Sequence, residues 1–120
     1  MPQRAKPPDD ITPRDFFTRW LPDTVASDPA RRDRLQGTEA ALVFELTGIQ
    51  DGAFTLHIVA GTVRGVEGRV SDPDLEIRVD LETWRLLNRG DLSAPEALLR
   101  RRVKLVGDLH LALMLHVILG

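Results

Sequence analysis

The chain has 120 residues, the length of one domain, and its 16 basic and 18 acidic residues leave a formal net charge of −2. This balance argues against a dedicated nucleic-acid binder, because such domains are usually strongly basic. The chain has no cysteine, which excludes disulfides, thiol catalysis and cysteine-ligated metal centres. No secretory signal is visible, and the longest apolar run, Leu109 to Leu119, is far shorter than the roughly 20 residues that span a bilayer. We therefore expect a soluble, cytoplasmic protein.

Most of the prolines lie in the first 30 residues of the chain. Residues 1–11 predict a disordered N-terminal arm, and residues 12–120 a single domain. Thr12 is a suitable cap for a first helix, which Pro22 is expected to end or kink. A second short helix is predicted for residues 29–35.

From residue 40 apolar residues recur at every second position, a pattern that predicts strands with one buried face. Four strands are predicted near residues 42–47, 54–60, 62–70 and 75–80, and a fifth at 103–106. Asp51-Gly52 is a hairpin turn signal between the first two. We expect the first four strands to be largely antiparallel. The fifth follows a helical crossover and is able to join parallel to a neighbour.

Residues with helical periodicity lie between the fourth and fifth predicted strands and again after the fifth. Asp80 is a predicted cap for a helix that Gly90 closes, and a capping box at Ser93 begins a helix that runs to about Arg101. A final helix is predicted for residues 109–119. The pattern predicts the α+β class, an α/β sandwich in which helices pack on one face of a five-stranded mixed sheet.

The final predicted helix, residues 109–119, is apolar on nearly every side apart from His110 and His116. A helix docked on a sheet needs an apolar stripe of only about 100°. We therefore expect it to bury more than one face. Its other side would be covered by the aromatic residues of the first helix, by a ligand, by a partner chain or by lipid.

No set of residues indicates catalysis or metal binding. His110 and His116 are six positions apart, which places their rings on opposite sides of a helix, and His57 lies on a strand. The serines all fall at predicted turns or caps: Ser27, Ser71 and Ser93. No glycine-rich phosphate loop opens a helix. We predict no catalytic residue, no metal and no cofactor.

One basic cluster, Arg100, Arg101 and Arg102, ends a predicted helix. Cations at that end complement the helix dipole, which is a sufficient structural reason for them. The functional interpretation is contact with anionic lipid headgroups or with an acidic partner. Binding to nucleic acid is disfavoured because no stacking aromatic residues surround the cluster.

Several blocks resemble the sterol carrier protein-2 domain, also called the non-specific lipid-transfer family. The blocks are Leu42–Leu56, Val59-Ala60-Gly61 with Gly68, Asp74–Asp80, Trp84–Asn88, Gly90-Asp91-Leu92 and Val103–Ala112. The last block, in which a strand turns through Gly107-Asp108 into an apolar helix, is the most specific. The resemblance covers roughly residues 38–119 and rests on the order and spacing of the blocks, and the chain is similar to a bacterial stand-alone member of the family.

The resemblance implies a mixed, mainly antiparallel sheet with helices on one face and an apolar tunnel between the two layers. It implies non-catalytic binding or transfer of a sterol-like, fatty acyl or isoprenoid ligand. The stretch from Arg100 to Asp108 also resembles bacterial accessory factors of ubiquinone synthesis that hold a prenyl tail. The chain differs from the family in having no basic peroxisome-targeting tail and no extra segment after the last helix.

On this basis we predict that apolar side chains from several elements line the tunnel: Phe16, Trp20, Trp84, Leu87, Leu98, Leu113, Met114 and Val117. The expected partner is an apolar small molecule, namely a lipid, a sterol or a prenyl quinone, with transient membrane contact and no nucleic acid. We expect a monomer or a weak homodimer. A protein-interaction module that uses the last helix and the arginines is the alternative. An enzyme would need a polar pocket with a perturbed acid or base.

Overall fold

The computed structural model describes residues 6–119. The strands are β1 (Ala40–Thr47), β2 (Ala53–Val59), β3 (Thr62–Glu67), β4 (Leu75–Asp80) and β5 (Val103–Gly107). The helices are α1 (Pro13–Asp15), a π-helical segment (Phe16–Trp20), α2 (Leu21–Ala26), α3 (Pro29–Leu35), α4 (Leu81–Arg89), α5 (Ala94–Leu99), α6 (Leu109–Leu113) and α7 (Leu115–Ile118). The predicted α+β class is confirmed.

The five strands form one sheet in the order β3-β2-β1-β4-β5. All neighbours are antiparallel except β1 and β4, which are parallel. The expectation that a parallel pair would involve β5 was therefore wrong. The connection from β3 to β4 crosses the outer face of the sheet, where the Thr55 hydroxyl donates to the carbonyl of Gly68 at 2.8 Å. Because of this crossing, β4 enters the sheet parallel to β1.

The first helix continues through Pro22, which was expected to end or kink it. Pro22 lies in the first turn of α2, directly after the π-helical segment. There the backbone N–H of Leu21 bonds to the carbonyl of Phe16, five residues back. In a regular helix the proline ring would collide with the carbonyl four residues before it, and the wider π turn relieves that collision.

The central strands supply the core. Their inward side chains are fully buried, as at Leu42, Leu56 and Leu75, which are 0% exposed. In β3 the position opposite Leu56 is Gly65. A Cβ there would lie 1.7 Å from the carbonyl oxygen of Phe17, so the absence of a side chain lets the π-helical segment reach the sheet.

The predicted final helix is two helices, α6 and α7, separated at Met114. The N–H of Val117 bonds to the carbonyl of Met114, which leaves the carbonyl of Leu113 outside the helical pattern. The His116 ring nitrogen Nδ1 lies 2.7 Å from that Leu113 oxygen. The side chain thereby satisfies the carbonyl that the break exposes.

The expectation that this segment buries more than one face was also wrong. In α6, Leu109 and Leu113 are 69% and 75% exposed. The buried residues are Leu111 in α6 and Val117 and Ile118 in α7, and α7 packs against α3.

The predicted N-terminal arm falls partly outside the described residues, which begin at Lys6. From there the chain is irregular up to Ile11, whose side chain packs on the core and whose carbonyl accepts from Arg85 Nη1 at 3.3 Å. Within residues 6–119, no helix has the length and apolar character needed to cross a membrane.

Candidate ligand-binding site

Three of the predicted lining residues meet in one aromatic cluster. Phe16 stacks on Trp20 with ring centroids 5.4 Å apart, and it meets Trp84 edge-on, also at 5.4 Å. Phe16 and Trp84 are buried, whereas Trp20 is partly exposed at the side of the cluster. The cluster joins the first helix to α4 and forms a closed wall of the core.

Phe17 was not among the predicted site residues, yet it occupies the centre of the layer between helix and sheet. It is 0% exposed. Its ring lies 4.8 Å from that of Phe44 and 5.1 Å from that of Phe54. The space between the first helix and strands β1 and β2 is therefore filled by aromatic rings. Phe17 is one of the aromatic residues of the first helix that were expected to cover the final helix, but its place over the sheet was not predicted.

Two pockets are found near the N-terminal segment, and neither is lined by a residue of the sheet. One is an open groove of about 500 Å³ bounded by Pro8, Ile11 and Trp20. The other is a narrow crevice between the proline pair and α4, with no room for a water molecule. Asn88 lines this crevice, and its Nδ2 is buried without a hydrogen-bond partner among the described residues.

The β5 edge is the part of the sheet that the helices cover least. Val103 and Leu105 face the helix layer, as their pairing with Val79 and Ile77 requires, yet both are only half-buried. Two short helices, α5 and α6, pack over this strand. We use the name β5 groove for the apolar residues of this edge that keep accessible surface, namely Val103 and Leu105 of β5 and Leu113 of the neighbouring helix α6.

The remaining predicted lining residues have different surroundings. Leu98 is 46% exposed at the end of α5, and Leu87 is half-buried in α4. Met114 is half-buried, and its sulfur lies 3.7 Å from the hydroxyl of Thr38. Val117 is buried in α7. The eight residues therefore do not meet in one place: Phe16, Trp20 and Trp84 form the aromatic wall, Val117 is buried in α7, and the other four are half-buried or exposed at separate positions on or next to α4, α5 and α6.

The three predicted headgroup-contacting arginines follow α5 directly. Arg100 pairs with Glu96, four residues earlier, at 3.2 Å. Arg101 has a left-handed backbone, with φ of 58°, and is exposed. Arg102 is half-buried and acts electrostatically on Asp80. Of these three arginines, only Arg101 therefore has no carboxylate interaction with the residues that the structure describes.

Asp80 caps α4 and is the described group whose pKa clearly departs from its ordinary value. Partial burial acts to raise this pKa, but the Thr83 hydroxyl at 2.5 Å and the Thr83 N–H at 3.0 Å donate to the carboxylate. Together with the charge of Arg102, these bonds lower the pKa of Asp80. The lowered pKa of Asp80 follows from its role as a helix cap and does not indicate a proton-transfer site.

The outer face of the sheet carries a charge network that the sequence reasoning missed. Arg69, in the crossing connection, contacts Glu76 at 2.5 Å and Glu45 at 3.5 Å. Arg78 bonds to Glu45 at 3.2 Å. The pairing of Glu45 with Arg78 across β1 and β4 was the available signal, but it required knowing that these strands are neighbours.

The polar residues weighed for catalysis have structural roles where the structure describes them. The Ser27 hydroxyl donates to the carbonyl of Asp23, and Ser93 caps α5. His57 is half-buried on the outer sheet face, and His110 is exposed. No three His, Asp or Glu residues within 6–119 are arranged to hold a metal ion.

The profile of the SCP-2 sterol transfer family matches residues 17–120, nearly the whole chain. The chain therefore belongs to that family, a family of lipid-binding and lipid-transfer domains, and the predicted resemblance is confirmed. A comparison with curated proteins finds no match.

Among solved structures, palmitated SCP2L2 from Aedes aegypti shares 21% identity at a TM-score of 0.65, covering 88% of this chain and 94% of that one. A UbiJ-SCP2 ubiquinone synthesis protein shares 21% identity at a TM-score of 0.57, covering 76% and 78%. The inverting sec-alkylsulfatase Pisa1 from Pseudomonas sp. shares 23% identity at a TM-score of 0.63, covering 82% of this chain. The chain spans only 14% of that sulfatase and 15% of a second structure of the enzyme. At these identities the likeness establishes the fold alone.

Proposed function

We propose that this chain binds and transfers an apolar ligand of the sterol-like, fatty acyl or isoprenoid class, without catalysing a reaction on it. Family membership supports the class of function. The observation that carries the proposal is the β5 groove. Val103 and Leu105 face the helix layer but keep accessible surface, and Leu113 of α6, the helix packed against this strand, is 75% exposed.

The ligand would lie between β5 and α6, separating these two elements as it enters. Leu98 and Leu87 would extend the apolar surface along α5 and α4, and Met114 supplies an adaptable side chain at the break between α6 and α7. The aromatic wall of Phe16, Trp20 and Trp84 would close the inner end, with Val117 behind it. The tunnel of this proposal therefore forms with the ligand.

The energetics permit this binding. Burial of about ten methylene groups contributes roughly 8 kcal/mol before costs, at about 0.8 kcal/mol each. Loss of rigid-body and chain freedom, together with displacement of α6, leaves an affinity in the micromolar range. Of the three leucines of the short helix α6 only Leu111 is buried, so displacing this helix loses the packing of one leucine side chain.

Native mass spectrometry of the purified chain, followed by organic extraction, tests the proposal directly. We expect a discrete apolar adduct, and one-to-one uptake of a fluorescent fatty acid by the stripped protein. Leu113→Gln should weaken uptake about five- to tenfold, because it removes apolar contact from the groove. Val59→Gln, at another exposed apolar residue on the distant end of β2, is the matched control and should leave uptake unchanged.

A bare monomer that takes up no fatty acid would overturn the carrier proposal. It would favour the second candidate, a protein-interaction module such as an accessory factor of ubiquinone synthesis that holds a prenyl tail. The observation in its favour is the pair Leu109 and Leu113, one turn apart and both exposed on α6. Sedimentation equilibrium distinguishes a monomer or weak homodimer from a stable self-association through this face. Recovery of a prenyl quinone in the extract would identify the ligand class of the accessory factor.

A further inference from the structure

Exposed leucines and arginines lie side by side in residues 98–102, which we call the α5 tip. Leu99 is 85% exposed, the largest fraction among the large apolar side chains described, and Leu98 is 46% exposed. Arg100 and Arg101 are also exposed. An apolar side chain this accessible, flanked by cations, has no stabilising role in the fold of the described residues.

The backbone of Arg101 at the α5 tip is left-handed, a conformation that residues with a side chain rarely adopt. The N–H of Arg101 bonds to the carbonyl of Leu98 at 3.0 Å, and that of Arg102 to the carbonyl of Ala97 at 2.9 Å. This is the Schellman motif, whose left-handed position usually holds glycine because a Cβ is unfavourable there. The arginine at this position therefore lowers stability, with no carboxylate within 4.0 Å among residues 6–119 to compensate.

The positive charge of this region is local. Between Glu96 and Lys104 one carboxylate stands against three arginines and a lysine, although the whole chain has a net charge of −2. Glu96 is already paired with Arg100. Arg101 is therefore the arginine of the tip that presents an unneutralised cation to solvent, on an otherwise slightly acidic protein.

We propose that the α5 tip docks on an anionic phospholipid membrane. Guanidinium groups bind lipid phosphates, and the adjacent leucines insert into the boundary between headgroups and acyl chains. A bilayer fits these features better than an acidic protein, since a stable protein interface buries about 800 Å² on each partner. Two neighbouring leucines are too few to anchor an interface of that size.

Docking at this place would serve ligand transfer. The tip leads directly into β5, where Val103 and Leu105 form one side of the β5 groove. A membrane held at the tip would therefore face the groove, and the purpose of docking, though not the docking itself, rests on the proposed function. The ligand would move between bilayer and groove without crossing open water.

Vesicle co-sedimentation of the intact chain tests the docking. We expect binding to phosphatidylcholine vesicles that contain about one-third phosphatidylserine, weakened by salt and absent with pure phosphatidylcholine. Arg101→Gly should weaken binding about fivefold. The same variant should raise the midpoint of thermal unfolding by roughly 4 °C, because glycine suits the left-handed position. Weaker vesicle binding by a variant that is more stable than the wild type cannot be attributed to damage to the fold.

Matched variants separate the tip from general surface effects. Leu99→Ser should weaken vesicle binding without changing stability. Arg64→Ala, on the opposite edge strand β3, and Val59→Ser should bind like the wild type. Wild-type binding that is absent, or that is equal for neutral and anionic vesicles, overturns the proposal. So does unchanged binding by Arg101→Gly, and an acidic protein partner would then be the better interpretation of the tip.

The vesicle-binding result is independent of the carrier proposal, because uptake of a fluorescent fatty acid is measured without vesicles. Uptake without vesicle binding refutes the docking and leaves the carrier function standing. Vesicle binding without uptake supports the docking and refutes the carrier function.

Discussion

Substitution of Gly65 by alanine tests the contact that fixes the first helix on the sheet. The added Cβ would lie 1.7 Å from the carbonyl oxygen of Phe17 and 2.7 Å from its carbonyl carbon. Contacts of Cβ atoms shorter than 3.0 Å essentially do not occur, so the π-helical segment must retreat by more than 1 Å. That movement pulls the Phe17 ring away from Phe44, which it meets at a tilt, and from Phe54, on which it stacks.

The expected loss in the free energy of unfolding combines backbone strain with lost packing of the Phe17 ring. Overpacking costs about 1–3 kcal/mol, and complete loss of a buried phenylalanine side chain about 3–5 kcal/mol. Because Phe17 would lose only part of its contacts, we expect Gly65→Ala to lower the free energy of unfolding by about 3 kcal/mol. Urea denaturation, followed by far-UV circular dichroism and tryptophan fluorescence, measures this change.

Gly37→Ala is the matched control. A Cβ at Gly37 meets no atom within 4 Å, and its backbone is not left-handed. Alanine there should leave stability unchanged or raise it by up to about 1 kcal/mol, since it restricts the unfolded chain. If Gly65→Ala were as stable as Gly37→Ala, the close approach of Phe17 to β3 would not exist in solution.

Three further predictions follow from single contacts. Gly107→Ala should destabilise the fold by about 2 kcal/mol, measured by urea denaturation, because φ is 124° and the Cβ would lie 2.4 Å from the Asp74 carbonyl oxygen. The lowered pKa of Asp80 means that its carboxylate stabilises the fold above the unfolded-state pKa near 4, and that this contribution is lost as pH falls through the lower folded-state value. Asp80→Asn keeps a capping oxygen, so stability measured from pH 6 to pH 2 should fall less steeply than in the wild type, and identical slopes would contradict the assignment. Arg69→Met should cost at most about 1 kcal/mol, because the ion pairs on the outer sheet face are partly solvated, and a larger loss in thermal unfolding would mean that the crossing connection depends on them.

Local sequence signals predicted most of the secondary structure. Five helix starts have a side chain that accepts from a backbone N–H two or three residues further on: Thr12, Asp28, Asp80, Ser93 and Asp108. The caps Thr12, Asp80 and Ser93 were predicted from their own neighbourhoods. The period-two alternation likewise predicted which side chains of β1, β2 and β4 face the core. The candidate site was predicted less well, because apolar residues that line a groove and apolar residues that fill a core have the same pattern.

The amino-acid sequence by itself determined the strands, the helix starts, the family and the cationic α5 tip, because caps, alternation and charge depend on residues a few positions apart. Tertiary structure alone decided that β4 pairs in parallel with β1, that the last helix breaks at Met114, and that Phe17 rather than a ligand fills the layer above β1 and β2. It also decided that Leu99 and Leu113 remain exposed. The physical reason is that strand partners and burial depend on what lies across the fold, and residues distant in the chain supply those neighbours.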